Sequence, residues 1–167
     1  ATTGVTCDLN GKSQRLAGLA KNATGASTKY RVINSSATAS TLTISNTAAV
    51  AFDGLIGIAN NTNFSLVKQG NATLTLSGAN VYSGGTTVGG GTLLVNTSTG
   101  CGTGNVTVNG GAALGGSGTI PGNVTVNSNG TASVSGSIQG SVSVNGGATL
   151  AGTGTIQGAV TVAAGAT

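Results

Sequence analysis

The sequence lacks most of the side chains on which enzymes rely. Its 167 residues include no histidine, methionine, tryptophan or glutamate, and the two carboxylates, Asp8 and Asp53, are 45 positions apart (53 minus 8). General acid–base catalysis needs titratable groups within reach of one another, and a hydroxyl nucleophile needs a base beside it. Calcium sites of glycine-rich β-rolls need repeated aspartates, which are missing. We therefore predict no enzyme activity, no catalytic residue, no metal site and no cofactor.

Charged residues are also scarce, and they lie towards the N-terminus. The chain has six basic and two acidic side chains, and none follows Lys68. Nucleic-acid binding needs a basic stripe with aromatic residues, but Tyr30 is the only aromatic residue before Phe52, so no nucleic-acid partner is predicted. No run of 18 apolar residues occurs, so no membrane span is predicted either. An uncharged flank does little to keep copies apart, which favours self-association.

Residues 104–167 repeat every 18 positions. A Gly-x-Val-x-Val motif begins at Gly104, Gly122, Gly140 and Gly158, and glycine and asparagine separate the strand-like pieces. This period-two spacing within a longer repeat is typical of a β-solenoid. Large apolar residues recur six positions apart within each unit, which predicts three short faces per turn. The predicted core stack is Val106, Val108, Leu114, Ile120, Val124, Val126, Ile138, Val142, Val144, Leu150 and Ile156.

These patterns predict an all-β fold, a parallel β-solenoid that forms a single domain over residues 1–167. Irregular turns are expected in 1–63 and regular 18-residue turns in 104–167. Stacked turns lie ~4.8 Å apart and are hydrogen-bonded to one another. One turn cannot fold alone, because burying about four aliphatic side chains does not offset the entropy of ordering a whole turn.

A second pattern lies between the two regions, in residues 64–95. It has the form L-x-K-x-G-x-x-x-L-x-L-x-G-x-N-x-Y-x-G-x-T, followed by G-T-L at Gly91. It resembles the passenger-associated transport repeat of autotransporter passengers and autotransporter-associated β-strand proteins. The residues that carry the resemblance are Lys68, Gly70, Leu74, Leu76, Gly78, Asn80, Tyr82 and Gly84.

The resemblance implies a parallel β-helix, usually right-handed, that is extracellular or displayed at a bacterial cell surface. It also implies that the motif serves secretion and folding of the chain rather than catalysis.

Cys7 and Cys101 form an even pair in a chain expected to be secreted, which normally suggests a disulfide. They are 94 residues apart (101 minus 7), about five turns or ~24 Å, whereas a disulfide needs Cα atoms within ~7 Å. Three alternatives stay open: a disulfide between chains, an intrachain disulfide made by a folded-back N-terminal segment, and two free thiols.

Two surface features add further hypotheses. One hydroxyl per turn is predicted to face outward, at Thr107, Thr125, Ser143 and Thr161, which leaves a glycan- or ice-binding module as a third interpretation. Glycan attachment also stays open, because Asn-x-Ser/Thr occurs repeatedly. Examples are Asn22, Asn34, Asn71, Asn105 and Asn123.

The leading functional hypothesis is a structural protein outside the cell or on its surface. It would be a self-associating filament or rigid-spacer subunit built by end-to-end stacking, with itself or other surface proteins as partners. The predicted C-terminal contact is Leu150, Ile156, Val160 and Val162. The alternative is a part of a larger autotransporter-like adhesin passenger that acts as a stalk.

Overall fold

The computed structural model describes residues 4–20, 30–57 and 63–167, and every regular element in these ranges is a β-strand. All strand pairs are parallel, and the sheets stack as a β-solenoid, which confirms the predicted all-β class. Within the described ranges, no helix is long and apolar enough to cross a membrane. The short strands follow from the sequence, because glycine and asparagine corners interrupt each apolar alternation after a few residues.

The strands, numbered along the chain, form three faces. The longest face is an eight-stranded sheet of β2 (Gln14–Leu16), β4 (Ser40–Ser45), β7 (Phe64–Gln69), β9 (Thr86–Val88), β11 (Val106–Val108), β14 (Val124–Val126), β17 (Val142–Val144) and β20 (Val160–Val162). The second face is a six-stranded sheet of β5 (Val50–Phe52), β8 (Thr73–Leu76), β10 (Thr92–Val95), β12 (Ala113–Gly116), β15 (Thr131–Val134) and β18 (Thr149–Ala151).

The third face is divided into two sheets of three strands each. The first contains β1 (Val5–Asp8), β3 (Tyr30–Ile33) and β6 (Leu55–Ile56). The second contains β13 (Thr119–Ile120), β16 (Ser137–Ile138) and β19 (Thr155–Ile156). Between them, residues 80–82 and 99–103 run without a strand, although their backbones are still bonded from turn to turn: Thr103 N–H donates to the Tyr82 carbonyl at 2.9 Å.

The turns become shorter along the chain. On the longest face, paired residues are 28 positions apart between β2 and β4 (42 minus 14) and 24 between β4 and β7 (64 minus 40). The offset is 20 from β7 to β9 (86 minus 66) and from β9 to β11 (106 minus 86). From β11 onward it is 18 (124 minus 106). The predicted 18-residue register of residues 104–167 is therefore confirmed.

The core consists of columns of inward side chains that run from turn to turn. Burial alternates along the strands, and the inward residues of β11, β14 and β17 are at most 2% exposed. Nine of the predicted core residues are buried: Val106, Val108, Leu114, Ile120, Val124, Val126, Ile138, Val142 and Val144.

The last two predicted core residues, Leu150 and Ile156, pack against this core but are only half-buried. They lie in the last complete turn, over which only residues 158–167 are stacked. Val160 and Val162, on the end strand β20, are 46% and 57% exposed.

Candidate functional site: a buried polar cluster

Polar side chains enter the core in one part of the solenoid. Among the described residues, all buried polar or charged side chains precede residue 87: Asn34, Ser40, Asn46, Lys68, Asn80 and Thr86. Three of these, Lys68, Asn80 and Thr86, lie within residues 64–95, where the sequence suggested a transport repeat. Because a buried polar group is costly unless it is hydrogen-bonded, the partners of these side chains indicate what they do.

Lys68 ties the corner of one turn to the corner of the next. Its side chain points inward from β7 and is fully buried. Its Nζ donates to the carbonyl oxygens of Gln69 at 2.7 Å, Gly70 at 3.1 Å and Gly90 at 3.1 Å, so each ammonium hydrogen has a partner. Gly90 belongs to the following turn. Burial lowers the pKa of Lys68, because desolvation disfavours the charged form.

Asn80 bridges three consecutive turns through its side-chain amide. Its Oδ1 accepts the backbone N–H of Ile56 in the preceding turn at 2.7 Å, and its Nδ2 donates to the carbonyl oxygen of Gly100 in the following turn. Both bonds are buried. The side-chain bonds add to two backbone bonds at this point, where the third face has no strand: Val81 N–H donates to the Ile56 carbonyl at 3.0 Å and Asn80 N–H to the Thr99 carbonyl at 3.1 Å.

Tyr82 and Thr86 form a second buried connection to the following turn. The Tyr82 hydroxyl lies 2.7 Å from the Thr86 Oγ1, which donates to the carbonyl oxygen of Cys101 at 3.0 Å. The Tyr82 ring packs against Phe64 with ring centroids 5.7 Å apart. Burial raises the pKa of Tyr82 well above its usual value and raises the pKa of Cys101 to about 12. We call Asn80, Tyr82, Thr86 and Cys101 the junction cluster.

The glycines of the motif lie where neighbouring turns approach closely. A Cβ on Gly78 would overlap the carbonyl oxygen of Gly54 in the preceding turn, so any larger residue would force the two turns apart. Gly70 and Gly84 are similarly close to the backbone of Asn46 and of Phe64. Leu74 and Leu76 are fully buried in the core. Each residue of the predicted motif therefore supports the stacking of turns.

Residues 66–95 match the family model of the passenger-associated-transport-repeat. The chain carries a passenger-associated transport repeat. The match covers 30 of the 167 residues (95 minus 65) and begins two positions after the start predicted from the motif. A search of the curated proteins found no match, and a search of the solved structures found none either.

Together with the solenoid fold, the transport repeat fits an autotransporter passenger and suggests a structural domain of a secreted or cell-surface protein. The buried contacts described above show how the repeat performs a structural task, since they join successive turns where the third face has no strand.

The sequence-based prediction did not assign Thr86 and Cys101 to a buried cluster, although Thr86 is the threonine with which the G-x-T part of the motif ends. Thr86 occupies an inward position that valine fills in the next three strands, Val106, Val124 and Val142. A hydroxyl at a valine position was a further signal. Cys101 was considered only as a disulfide candidate, because its contact with Thr86 depends on how two turns of different length stack.

Both cysteines are free thiols in the structure, Cys7 exposed and Cys101 buried. Cys7 is paired with Val32 and Val32 with Ile56, and the Tyr82 and Cys101 turns follow. The two thiols are thus four turns apart, ~19 Å at ~4.8 Å per turn, so an intrachain disulfide is not formed. A disulfide between chains through Cys101 would require the core to open.

Of the two carboxylates, Asp8 contributes to a turn. Asp8 accepts the backbone N–H groups of Asn10 at 2.9 Å and Ser35 at 3.0 Å, which fixes a turn. In the described ranges, no group of three or more histidine, cysteine, aspartate or glutamate residues comes together.

The outward hydroxyls lie in the expected register, one per turn. They are half-buried or exposed, at Thr107, Thr125, Ser143 and Thr161. Of the Asn-x-Ser/Thr sites, Asn34 is fully buried, Asn71, Asn105 and Asn123 are exposed, and Asn22 lies outside the described residues.

The contribution of the buried ammonium can be measured with Lys68→Met, which keeps the length of the side chain. We expect a loss of about 1–2 kcal/mol in the free energy of unfolding, because three carbonyls lose a donor while the cost of burying a charge is relieved. Urea unfolding of this variant beside Lys12→Met, at an exposed lysine, measures the difference. A Lys68→Met protein at least as stable as the wild type would show that the burial cost exceeds the value of the bonds.

Proposed function

We propose that this chain is a rigid spacer of a protein that acts outside a bacterial cell or on its surface. The observation that carries the proposal is the uninterrupted inward column of the longest sheet. In register from β2 to β20, it consists of Leu16, Ile44, Lys68, Val88, Val108, Val126, Val144 and Val162. Each turn contacts its neighbours along one axis, so the domain resists bending as a single rod.

The dimensions suit a spacer. Eight strands at ~4.8 Å span about 34 Å along the axis between the first and the last strand. Over residues 104–167, the strands of the longest face pair at a constant offset of 18 (124 minus 106), and no turn carries a charged side chain. The transport repeat contributes the buried side-chain bonds that hold the turns together where one face lacks strands. This role agrees with a repeat that serves folding of the chain.

The second candidate is the self-associating filament, which the exposed Val160 and Val162 on β20 favour. End-to-end stacking would satisfy the edge of this strand with a second copy. The spacer is placed first because it rests on an inward column that runs through eight strands, whereas the filament rests on the exposed side chains of one strand.

An insertion tests the spacer directly. Two further copies of residues 122–157, placed between Gln157 and Gly158, add four turns in the existing register. We expect the rod to lengthen by ~19 Å, four turns at ~4.8 Å, with an unchanged cross-section. Small-angle X-ray scattering measures the maximum dimension and the cross-sectional radius, and negative-stain microscopy shows the shape of the particles.

The uninserted chain and Val160→Thr with Val162→Thr are the controls. Single rods in all three samples support the spacer. Long filaments in the wild type that disappear in the double variant would instead favour assembly by end stacking. A wider cross-section with no gain in length would overturn the spacer, because the added turns would not be stacking on the axis.

A further inference from the structure

The C-terminal array, residues 104–167, repeats the same contacts between turns. Backbone bonds recur at 18-residue steps: Val106 N–H donates to the Asn123 carbonyl at 2.8 Å, Val124 N–H to Ser141 at 2.9 Å and Val142 N–H to Ala159 at 2.9 Å. The side-chain bonds between turns lie at the surface and recur as well, as in the ladder of Asn109, Asn127 and Asn145, with 3.0 Å at both steps. Within the described residues, no buried polar group marks one turn of the array as different from another.

Side-chain size adds an alternation to this repeat, which makes the full period 36 positions. On the second face, Leu114 and Gly116 are followed by Ala132 and Val134, and then by Leu150 and Gly152. Gly116 and Gly152 have nearly the same positive φ, 115° and 113°. A shift of the array by two turns would therefore restore the same packing, and a repetitive, glycine-rich ladder provides little to oppose it.

The contact between the transport repeat and the array is different. Here the loop 99–103 lies on the junction cluster, where its carbonyls at Gly100 and Cys101 accept the buried bonds of Asn80 and Thr86. Gly102 has a φ of 71°, and a Cβ at this position would lie 2.8 Å from carbon atoms of the Tyr82 ring. A loop of ordinary residues could not occupy this place without moving Tyr82.

We propose that the loop 99–103, seated on Tyr82 and Thr86, sets the register of the whole array, and that the array accepts any whole step of two turns. The large ring of Tyr82 needs the small Cys101 and Gly102 above it, and in the array the third face instead presents Ile120, Ile138 and Ile156. Only the segment that follows this loop can stack directly on the transport repeat. The number of turns in the array can then change in steps of two, whereas only one segment of the chain can stack on the transport repeat.

Two deletions of equal length distinguish the contribution of the loop from that of the array. Removing residues 104–139 keeps the loop and joins Thr103 to Gly140. Removing residues 101–136 joins Gly100 to Ser137, so that Ser137 and Ile138 replace Cys101 and Gly102. Each deletion removes two turns and keeps the rest of the array in register with itself.

The readout is disulfide formation between Thr87→Cys and Ser143→Cys in a Cys7→Ser background. In the full chain these positions are three turns apart, Thr87 to Thr107 to Thr125 to Ser143, or ~14 Å, too far for a disulfide. In the deletion of 104–139 they become neighbours at ~4.8 Å, within the range of a disulfide. After mild oxidation we expect nearly complete crosslinking there, and only background crosslinking in the full chain and in the deletion of 101–136.

Circular dichroism and thermal unfolding accompany the crosslinking. We expect the deletion of 104–139 to keep a cooperative transition and the deletion of 101–136 to lose it or to melt at a lower temperature. Equal crosslinking and equal melting of the two deletions would overturn the proposal, since the loop would then carry no register information. Failure of the 104–139 deletion to fold or crosslink would overturn it as well, because the array would not be interchangeable.

Discussion

Replacing Asn80 by alanine is expected to lower the free energy of unfolding by about 3–5 kcal/mol. The substitution leaves the Ile56 N–H and the Gly100 carbonyl without their side-chain partner inside the core. A buried polar group left unpaired costs about 1–3 kcal/mol, and the missing amide leaves a small cavity in addition. The effect should be large for a single polar residue, because one side chain joins three turns where no strand does so.

Urea unfolding and thermal melting measure this loss, and Asn71→Ala is the matched control. Asn71 belongs to the same transport repeat but is exposed, so its replacement should change stability by less than about 0.5 kcal/mol. Hydrogen exchange should also quicken first near Ile56 and Gly100, well before β17. If Asn80→Ala and Asn71→Ala unfold at similar urea concentrations, the bridge through Asn80 does not stabilise the solenoid.

Alkaline conditions are expected to destabilise the protein through Cys101. Burial raises the pKa of its thiol from 9.0 to about 12. Between these values the unfolded chain releases the proton while the folded chain retains it, so the free energy of unfolding falls as pH rises. Each pKa unit corresponds to about 1.36 kcal/mol, so about 2–3 kcal/mol should be lost from this group between pH 8 and pH 11.

Comparison of a Cys7→Ser protein with the Cys7→Ser, Cys101→Ala protein at both pH values isolates the contribution of Cys101. The Cys7→Ser change is in both proteins, because the exposed Cys7 thiol is open to oxidation. Lys68 is present in both proteins, so its contribution cancels. The pKa of Tyr82 is raised by burial and also by Cys101, so the difference between the proteins reports Cys101 together with its effect on Tyr82. We expect Cys101→Ala to be less stable at pH 8 and to lose about 2–3 kcal/mol less by pH 11. Equal losses in the two proteins would mean that the thiol is open to solvent.

The repetitive part of the fold could be predicted from the sequence to the level of single residues. Val106, Val124 and Val142 recur every 18 positions. Because side chains alternate between the two sides of a strand, this spacing allows few arrangements in which all three are buried. The repeat does not reveal how deeply each residue is buried. Leu150 repeats Leu114 and packs against the core, but it is only half-buried, because burial also depends on how much chain is stacked above a residue.

Only part of the candidate site could be predicted from the sequence. Lys68, Asn80 and Tyr82 were found through the transport-repeat motif, but the motif says nothing about the partners of their side chains. Those partners, Gly90, Gly100 and Thr86, lie 22, 20 and 4 positions away (90 minus 68, 100 minus 80, 86 minus 82). Which atoms meet depends on the unequal lengths of neighbouring turns. These lengths cannot be read from the sequence, because the corners between the strands do not repeat there.

The 18-residue repeat by itself thus determined the class of fold, the length of the regular turns and the identity of most core residues. These follow from local alternation, which every turn of the array repeats. The tertiary structure decided which side chains join the transport repeat to the array, because that depends on Tyr82, Thr86 and the loop 99–103 meeting across two turns. Contacts between turns of unequal length form only once the chain has stacked, and for this reason a pattern along the sequence could not specify them.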